Sequence, residues 1–251
     1  MVEMLTSEKN PLLKDVRKAV ARGSLTEEGC AIAEGFHLLD EALRAHCEIQ
    51  AVIASESAAD RLPVLRSARL ITVPEKIFDS LATTETTQGV LALVRPPEWT
   101  FERLIAGDTL IVVLDGVQDP GNAGAILRAA EAFGATGAVF LKGSVSPYNP
   151  KAMRASAGSV FRVPLVMLDE VTFDAGVKLY AAMPRAQKIP AAVDLRERCA
   201  IVIGSEGRGV SQKIAARATG LRIPTAGVES LNAAVAAGVL LYEARRQRSG
   251  S

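Results

Sequence analysis

The sequence predicts two α/β domains, the second built on a doubly wound parallel sheet. Short apolar runs alternate with helix-like segments along the chain, which is typical of α/β proteins. The run TLIVVLDGV at 109–117 is too uniformly apolar for a half-exposed strand and indicates a strand buried in a parallel sheet. Pro96 and Pro97 interrupt both patterns, because proline lacks a backbone N–H and disfavours helix. We therefore expect an N-terminal domain at 1–97 and a C-terminal domain at 98–251.

The N-terminal domain contains the elements of a small α/β unit. Strands are expected in CAIAEG, IQAVIAS, LITVP and QGVLALVRP, and helices in FHLLDEALRA and EKIFDSLA. A further helix is predicted in NPLLKDVRKAVARG, where Leu13, Val16 and Val20 share an apolar face. Its other face is basic and carries Lys14, Arg17, Lys18 and Arg22. Two interpretations stay open, an ordinary solvated surface or a row of contacts to RNA phosphates.

The C-terminal domain continues the alternation of strands and helices. Strands are expected in TLIVVLDGV, GAVFLK, VKLYAAM and CAIVIGS, and helices at 122–134, 151–157, 211–217 and 230–247.

Composition limits the class of protein. With 49% hydrophobic residues, 23% charged residues and a net charge of +1, the chain is typical of a globular protein that does not bind nucleic acid through bulk charge. Three dispersed cysteines and two histidines show no metal-ligand spacing, which predicts a reduced cytoplasmic protein without a metal. The N-terminus has no apolar signal core, and no apolar run reaches the roughly 18 residues of a membrane span, so neither export nor membrane insertion is expected.

Two loops follow predicted strands and carry polar residues. LDGVQDPGNAGAILRAAEAFGA has neither the G-x-G-x-x-G nor the G-x-x-x-x-G-K-[ST] spacing of nucleotide-binding loops. In it, Asn122 is expected to cap a helix. Arg128 lies among alanines, where it serves a site, simply reaches solvent or pairs with Glu131. IVIGSEGRGVS has three glycines in six residues, which permits close approach of a flat ligand. Glu206 projects from this loop, where it serves a site, only accepts backbone N–H bonds or balances Arg208.

Two further segments complete the candidate residues. NPKAMRASAGSVFRVPL adds Lys151 and Arg154, although an ordinary surface helix looks similar. Near the C-terminus, Ser230 and Asn232 open the small-residue stretch NAAVAAG, and Ser230 is the expected N-cap of the following helix.

Taken together, these blocks resemble the SpoU family of RNA ribose 2′-O-methyltransferases in the SPOUT superfamily. LDGVQDPGNAGAILRAAEAFGA, IVIGSEGRGVS and IPTAGVESLNAAVAAGVLLYEARRQR occur in the family's order, and YNPKAMRASAGSVFRVP also fits. The segments NPLLKDVRKAV, AEGFHLLDEAL and TTQGVLALV are similar to the family's ribosomal-protein-like RNA-binding domain.

The resemblance implies a deep trefoil knot in the C-terminal domain, S-adenosylmethionine as cofactor and a homodimer. It implies that Gly204, Ile223 and Leu231, with Glu206 and Gly207, contact the cofactor. It also implies that Asn122, Arg128, Glu206, Ser230 and Asn232 surround the reacting ribose. From their charge and position in the sequence, the residues expected to contact RNA are Lys14, Arg17, Lys18, Arg22, Lys151 and Arg154.

For the chemistry, we expect Arg128 to orient a phosphate and stabilise a developing oxyanion while Glu206 and Asn232 fix its geometry. A guanidinium is always charged, so this role is physically easier than that of a base. Ribosomal RNA is the first expected substrate and transfer RNA the second. A non-catalytic RNA-binding or ribosome-assembly protein and a nicotinamide-dependent dehydrogenase are the alternatives, and the latter lacks the dinucleotide fingerprint.

Overall fold

A computed structural model describes residues 2–65, 68–173 and 176–249. The elements of the N-terminal part are β1 Val2–Met4, α1 Pro11–Arg22, β2 Ala31–Glu34, α2 Phe36–Arg44, β3 Glu48–Ser55, β4 Arg69–Val73, α3 Glu75–Asp79 and β5 Val90–Arg95. Those of the remainder are α4 Phe101–Leu104, β6 Leu110–Asp115, α5 Pro120–Ala132, β7 Gly137–Leu141, α6 Pro150–Ser156, β8 Leu165–Leu168, β9 Lys178–Ala182, β10 Cys199–Gly204, α7 Gln212–Ala215, β11 Thr219–Leu221 and α8 Ala233–Arg248.

Internal contacts divide the chain into two compact units. The first unit comprises Met1–Glu98 and Tyr148–Phe161, and the second comprises Trp99–Pro147 and Arg162–Ser251. The boundary near residue 98 falls beside the paired prolines. The segment Tyr148–Phe161, which includes α6, packs with the first unit, whereas the sequence interpretation placed it inside an uninterrupted domain at 98–251.

The first unit is built on a mixed five-stranded sheet in the order β1-β4-β3-β5-β2. β4 runs parallel to β1 and β3, and β5 runs antiparallel to β2 and β3. Its core joins the apolar stripe of α1, including Leu13 and Val16, to Phe78 of α3 and the inward side chains of the strands. The apolar face predicted for the N-terminal helix is therefore the face that packs on the sheet.

The second unit is built on a six-stranded sheet in the order β11-β9-β10-β6-β7-β8, and every pairing in it is parallel. This confirms the predicted parallel α/β architecture. β6, β7 and β10 are buried almost throughout, as the uniformly apolar runs indicated. Short strands β1, β8 and β11 were not predicted, because three or four residues give too little pattern to recognise.

The two faces of the parallel sheet are covered by different helices. Ile111, Val113 and Val202 point to the face that packs against α4 and α7. α5 and α8 pack against each other, and they contact β7 and β10. α5 follows β6, and α7 follows β10. β6 and β10 are neighbours in the sheet. Helices that follow adjacent parallel strands on opposite faces of a sheet form a crevice at the carboxyl ends of these strands. Gly204 and Asp115 are paired at these ends.

No helix in the described ranges is long and apolar enough to span a bilayer. The trefoil knot stays a prediction.

Candidate active site

Three side chains from separate parts of the second unit form one hydrogen-bonded chain. The Nδ2 of Asn122 donates to Oε1 of Glu206 at 2.7 Å, and the Oδ1 of Asn122 accepts from Nδ2 of Asn232 at 2.9 Å. The Oδ1 of Asn232 in turn accepts from the backbone N–H groups of Ala234 and Val235. Each amide uses its oxygen as acceptor and its nitrogen as donor, so the orientation of every group is fixed.

The hydrogen-bonded series of side chains ends at the carboxylate of Glu206, which can accept further hydrogen bonds. Only Oε1 of Glu206 has a hydrogen-bond partner among the residues that the structure describes, and the side chain is exposed. An ionised carboxylate has about four lone-pair sites. Oε2 is therefore available to a hydroxyl group of a bound substrate.

Asn122 is positioned by the first turn of α5. Asp119 is the N-cap, and its carboxylate accepts the backbone N–H of Asn122 at 2.7 Å, while Pro120 occupies the first helical position. The sequence interpretation that Asn122 caps this helix was wrong. Because Asp119 satisfies the helix end, the Asn122 amide is free to bond across to Glu206.

Glu206 is positioned by a tight loop after β10. Ser205 and Gly209 exchange both backbone hydrogen bonds, at 3.1 and 2.9 Å, and Gly209 has φ of +67°. A Cβ at Gly204 would collide with the backbone of Gly209 and Val210, so glycine is required for this fold-back. Asp115 then secures the end of the loop by accepting the N–H of Ser211 at 2.7 Å.

Asn232, and not Ser230, is the N-cap of α8, which begins at Ala233. The prediction that Ser230 caps the helix was wrong by two residues. Asn is as good a cap as Ser, and its extra Nδ2 lets it cap α8 and bond to Asn122 at once. Ser230 is exposed in the preceding loop, and its hydroxyl makes no hydrogen bond with the described residues.

Arg128 lies apart from the three connected side chains. It is exposed on α5 and makes no hydrogen bond or ion pair within the described ranges. Six residues along a helix turn a side chain by about 600° and advance it by about 9 Å, so Asn122 and Arg128 cannot share a face. Within the described ranges no hydrogen bond or ion pair joins Arg128 to Glu206 or Asn232, and the role expected for Arg128 stays a prediction. Glu131 forms an ion pair with Arg162, and the guanidinium of Arg128 reaches solvent, as one of the expected alternatives has it.

Of the residues expected to contact the cofactor, Gly204 ends β10, and Glu206 and Gly207 lie in the loop that follows it. Ile223 and Leu231 lie in the segment between β11 and α8, and the backbone groups of both make no backbone hydrogen bond to described residues. Gly207 has open space where a Cβ would be, so the loop offers bare backbone at this position. Unpaired backbone donors and acceptors beside a glycine loop fit a ligand with a flat heterocycle and polar edges.

The basic face of α1 is only partly available. Arg17 is tied to the first unit through Ser80 Oγ at 3.2 Å and the carbonyl of Glu8 at 2.9 Å, and Lys18 pairs with Glu27. Lys14 and Arg22 are exposed, with no ion pair to described residues. On this face, Arg17 and Lys18 are bonded to neighbouring groups of the first unit, whereas Lys14 and Arg22 point to solvent.

Lys151 and Arg154, both on α6, differ in the same way. Lys151 is exposed, whereas Arg154 Nη1 lies 3.5 Å from Oε2 of the buried Glu34 and also bonds Thr83. Arg154 therefore offsets a buried carboxylate within the first unit.

Sequence reasoning missed Asp119 and Asp115. The Asp-Pro step before a helix is a recognisable capping signal and identifies Asp119. Asp115 gives no such signal, because its partner is 96 residues away. No group of potential metal ligands occurs among the described residues, and Cys30, Cys47 and Cys199 are free thiols.

Comparison with known proteins links this geometry to a family. Residues 109–242 match the SpoU rRNA Methylase family, and residues 10–92 match the MRM3-like substrate binding domain. An uncharacterized tRNA/rRNA methyltransferase of Synechocystis is 34% identical over 98% of this chain and 95% of its own. The 23S rRNA (guanosine(2553)-2′-O)-methyltransferase of Bacillus subtilis is 30% identical over 97% of this chain and all of its own.

Solved structures agree in fold. The AdoMet-bound rRNA methyltransferase of Sinorhizobium meliloti aligns with a TM-score of 0.83 at 29% identity, over 98% of each chain. The SpoU methyltransferase AviRb of Streptomyces viridochromogenes, in complex with AdoMet, has a TM-score of 0.84 at 24% identity and covers 97% of this chain. The two family-model matches cover the blocks that suggested the resemblance, apart from residues 93–94 and 243–248 at the ends of two of them. The chain belongs to the SpoU rRNA methylase family.

Proposed function

We propose that this protein transfers a methyl group from S-adenosylmethionine to the 2′-hydroxyl of a ribose in ribosomal RNA. The observation that carries the proposal is the hydrogen-bonded chain from the N-terminus of α8 through Asn232 and Asn122 to Glu206. It holds a carboxylate with a free oxygen at the carboxyl ends of adjacent parallel strands. Family membership and relatives named for 23S rRNA 2′-O-methylation support the same reaction.

Glu206 and the two asparagines position the ribose. Oε2 of Glu206 accepts a hydrogen bond from a ribose hydroxyl, while Oε1 is held by Asn122. Holding the hydroxyl in line with the methyl donor contributes the larger part of the rate enhancement, since well-oriented reactants lower a barrier by up to about 7–11 kcal/mol. Ser230, exposed beside this chain, supplies a further hydroxyl to the same substrate.

Arg128 binds a phosphate of the RNA and stabilises the negative charge that develops on the attacking oxygen. Its guanidinium is exposed and has no ion pair within the described residues, so all five N–H donors are available. A planar fork of donors matches a phosphate better than a point charge does. Arg128 acts on the substrate directly, because it makes no hydrogen bond or ion pair with Glu206 or Asn232 within the described residues.

S-adenosylmethionine supplies an electrophilic methyl group on a sulfonium when bound. The backbone groups of Gly204, Ile223 and Leu231 bind it, together with Glu206 and Gly207. The unpaired backbone of Ile223 and Leu231 and the open space at Gly207 support this assignment.

The first unit binds the RNA substrate away from the reacting ribose. Its match to a substrate binding domain supports this role. Three exposed cations contribute phosphate contacts, namely Lys14, Arg22 and Lys151. The other three bond to neighbouring groups of the first unit and contribute mainly by stabilising its surface, namely Arg17, Lys18 and Arg154. The modified nucleotide is an accessible one in structured RNA.

The protein acts as a homodimer in the cytoplasm. An apolar stripe on α8 supports dimerisation, because Val235, Val239 and Tyr242 are 52%, 38% and 55% exposed and recur at helical spacing. Three free thiols suit a reducing compartment.

Val235→Glu should shift the sedimentation coefficient to that of a monomer, and Met167→Glu, a matched change of an equally exposed apolar residue, should not. A monomeric wild type contradicts the dimer.

The experiment that tests the function is transfer of labelled methyl from S-adenosylmethionine to total ribosomal RNA and, separately, to total transfer RNA, both from cells that lack this protein. Label in ribosomal RNA supports the proposal, and label in transfer RNA alone changes the substrate class. Label in neither pool, with tight binding of the cofactor, indicates a precursor particle as substrate. Absence of both label and cofactor binding refutes the enzyme and leaves a non-catalytic RNA-binding protein.

A further inference from the structure

The first unit contains a polar hollow that none of the functions above uses. It has a volume of about 570 Å³ and lies where α2, the end of β3, α3 and the start of β5 meet. Its walls include Phe36, Arg61, Ser57 and Glu75, and Gln88 and Gly89 lie between them. The volume falls within the roughly 300–1,000 Å³ of small-molecule sites.

One wall is a stacked pair, with the guanidinium carbon of Arg61 4.7 Å from the centre of the Phe36 ring. Two hydrogen bonds that involve Gln88 hold the pair in place. Arg61 Nη2 donates to the carbonyl of Gln88 at 3.1 Å, and the Gln88 side-chain oxygen accepts the N–H of Phe36 at 2.9 Å. Arg61 is exposed. Its plane is therefore an ordered, solvent-facing platform, and guanidinium planes are surfaces on which unpaired RNA bases stack.

The lining of the hollow also includes a fixed carboxylate, that of Glu75. Oε1 of Glu75 accepts the N–H of Ser57 at 2.9 Å, and Ser57 Oγ lies 3.1 Å from Ser55 Oγ. Hydrogen bonds from Ser57 hold the pKa of Glu75 below its usual value, so the group is ionised at neutral pH and acts only as an acceptor. A carboxylate at this position disfavours a phosphate and favours a group with N–H donors.

We propose that this hollow binds an unpaired guanine of the RNA substrate, in a nucleotide other than the one that is methylated. The base stacks on Arg61, and its edge faces Glu75. Guanine alone among the bases offers two neighbouring donors, N1–H and N2–H, which match the two oxygens of one carboxylate. The inference rests on the proposed function only in taking RNA as the ligand.

The first test compares RNA binding by the full chain and its variants, with 23S rRNA as probe. Arg61→Ala should raise Kd at least about fivefold, as expected for loss of one stacked base. Arg69→Ala, which removes an equally exposed arginine of the same unit that pairs with Glu3, is the matched control and should leave Kd nearly unchanged. Equal affinities of wild type and Arg61→Ala overturn the proposal.

The second test locates the base with a 1,2-dicarbonyl reagent, which modifies the N1–N2 edge of unpaired guanine. Wild type should protect one unpaired guanine that Arg61→Ala and Glu75→Gln leave reactive, while the rest of the footprint is kept. Replacing that guanine by inosine removes the N2 amino group. It should weaken binding to wild type and have a smaller effect on Glu75→Gln, whereas equal effects overturn the role of Glu75.

Failure of this inference and failure of the proposed function give different results. If wild type methylates RNA and Arg61→Ala binds and protects it equally well, the guanine site is refuted and the methyltransferase stands. If wild type binds RNA and protects the guanine but transfers no methyl group, the guanine site stands and the methyltransferase is refuted.

Discussion

Asn122 and Glu206 lie 84 residues apart in the chain and are joined by a 2.7 Å hydrogen bond from amide to carboxylate. The bond connects the helix after β6 to the loop after β10, and these strands are neighbours in the sheet. It leaves the second carboxylate oxygen of Glu206 without a hydrogen-bond partner among the described residues, and the chemistry proposed for this protein depends on that oxygen.

Asn122→Asp should abolish this arrangement without changing side-chain volume. It places a second carboxylate against Glu206, and two like charges at hydrogen-bond distance repel strongly. We expect the single-turnover rate of methyl transfer to fall at least about 100-fold, as for a misplaced catalytic group. The circular dichroism spectrum serves as the control for folding. A rate within a few-fold of wild type contradicts a role for the bond.

Arg128→Ala should abolish turnover and leave S-adenosylmethionine binding nearly intact, because the role proposed for Arg128 is to bind the RNA and not the cofactor. Arg128→Lys keeps the charge and loses the planar fork, so an intermediate rate is expected. Calorimetric titration with the cofactor and single-turnover methyl transfer measure the two effects separately. Wild-type activity in Arg128→Ala refutes the assignment.

Asp115→Asn should slow the reaction by loosening the loop that carries Glu206. Asp115 accepts the N–H of Ser211 at 2.7 Å, and a charged acceptor strengthens this bond by about twofold over a neutral one. We expect kcat to fall about 10-fold or more while KM for RNA stays within a factor of two, since a displaced Glu206 mainly affects the transition state. If Asp115→Asn lowers the free energy of unfolding but leaves kcat at saturating RNA unchanged, the role of Asp115 is purely structural.

Arg248→Ala should destabilise the second unit. The guanidinium bonds the carbonyls of Leu195, Thr109 and Glu197 and the carboxylate of Asp108, and only 12% of the side chain is exposed. Truncation leaves several carbonyls without a partner, and we expect a loss of about 2–4 kcal/mol in the free energy of unfolding. Urea titration measures it. Arg196→Ala removes a solvent-exposed ion pair and should leave the midpoint nearly unchanged.

The three thiols should differ in reactivity. Burial raises the pKa of the Cys30 and Cys199 thiols, so less thiolate forms at a given pH than for an ordinary cysteine. Alkylation at pH 8 should therefore modify the half-buried Cys47 first and the other two only after unfolding, as peptide mass spectrometry can determine. Rapid alkylation of native Cys199 contradicts the packing around the end of α8.

Sequence patterns predicted the two architectures because strand runs such as TLIVVLDGV have a clear physical signature. They also indicated that polar residues follow β6 and β10, and the structure brings Asn122 and Glu206 of these segments within hydrogen-bond distance. The role of these residues in a site stays a prediction. The capping residues were assigned wrongly at both helices. Asn122 and Ser230 are good caps by type, and only the three-dimensional path of the chain shows that Asp119 and Asn232 take these roles.

The sequence could not predict hydrogen bonds between side chains that lie far apart in the chain, for a different reason. The Asn122 bonds to Glu206 and Asn232 join residues 84 and 110 positions apart, and no local pattern encodes them. The grouping of Tyr148–Phe161 with the first unit depends likewise on the contact of Arg154 with the buried Glu34. A helix rich in small residues gives no indication of the unit in which it packs.

The most direct measurement is the fate of labelled methyl in ribosomal RNA from cells that lack this protein, after incubation with wild type or Asn122→Asp and alkaline hydrolysis. A methylated 2′-hydroxyl blocks cleavage of the adjacent phosphodiester bond, so the account predicts label in one alkali-stable dinucleotide for wild type and almost none for the variant. Label in mononucleotides, or equal label from both proteins, contradicts it.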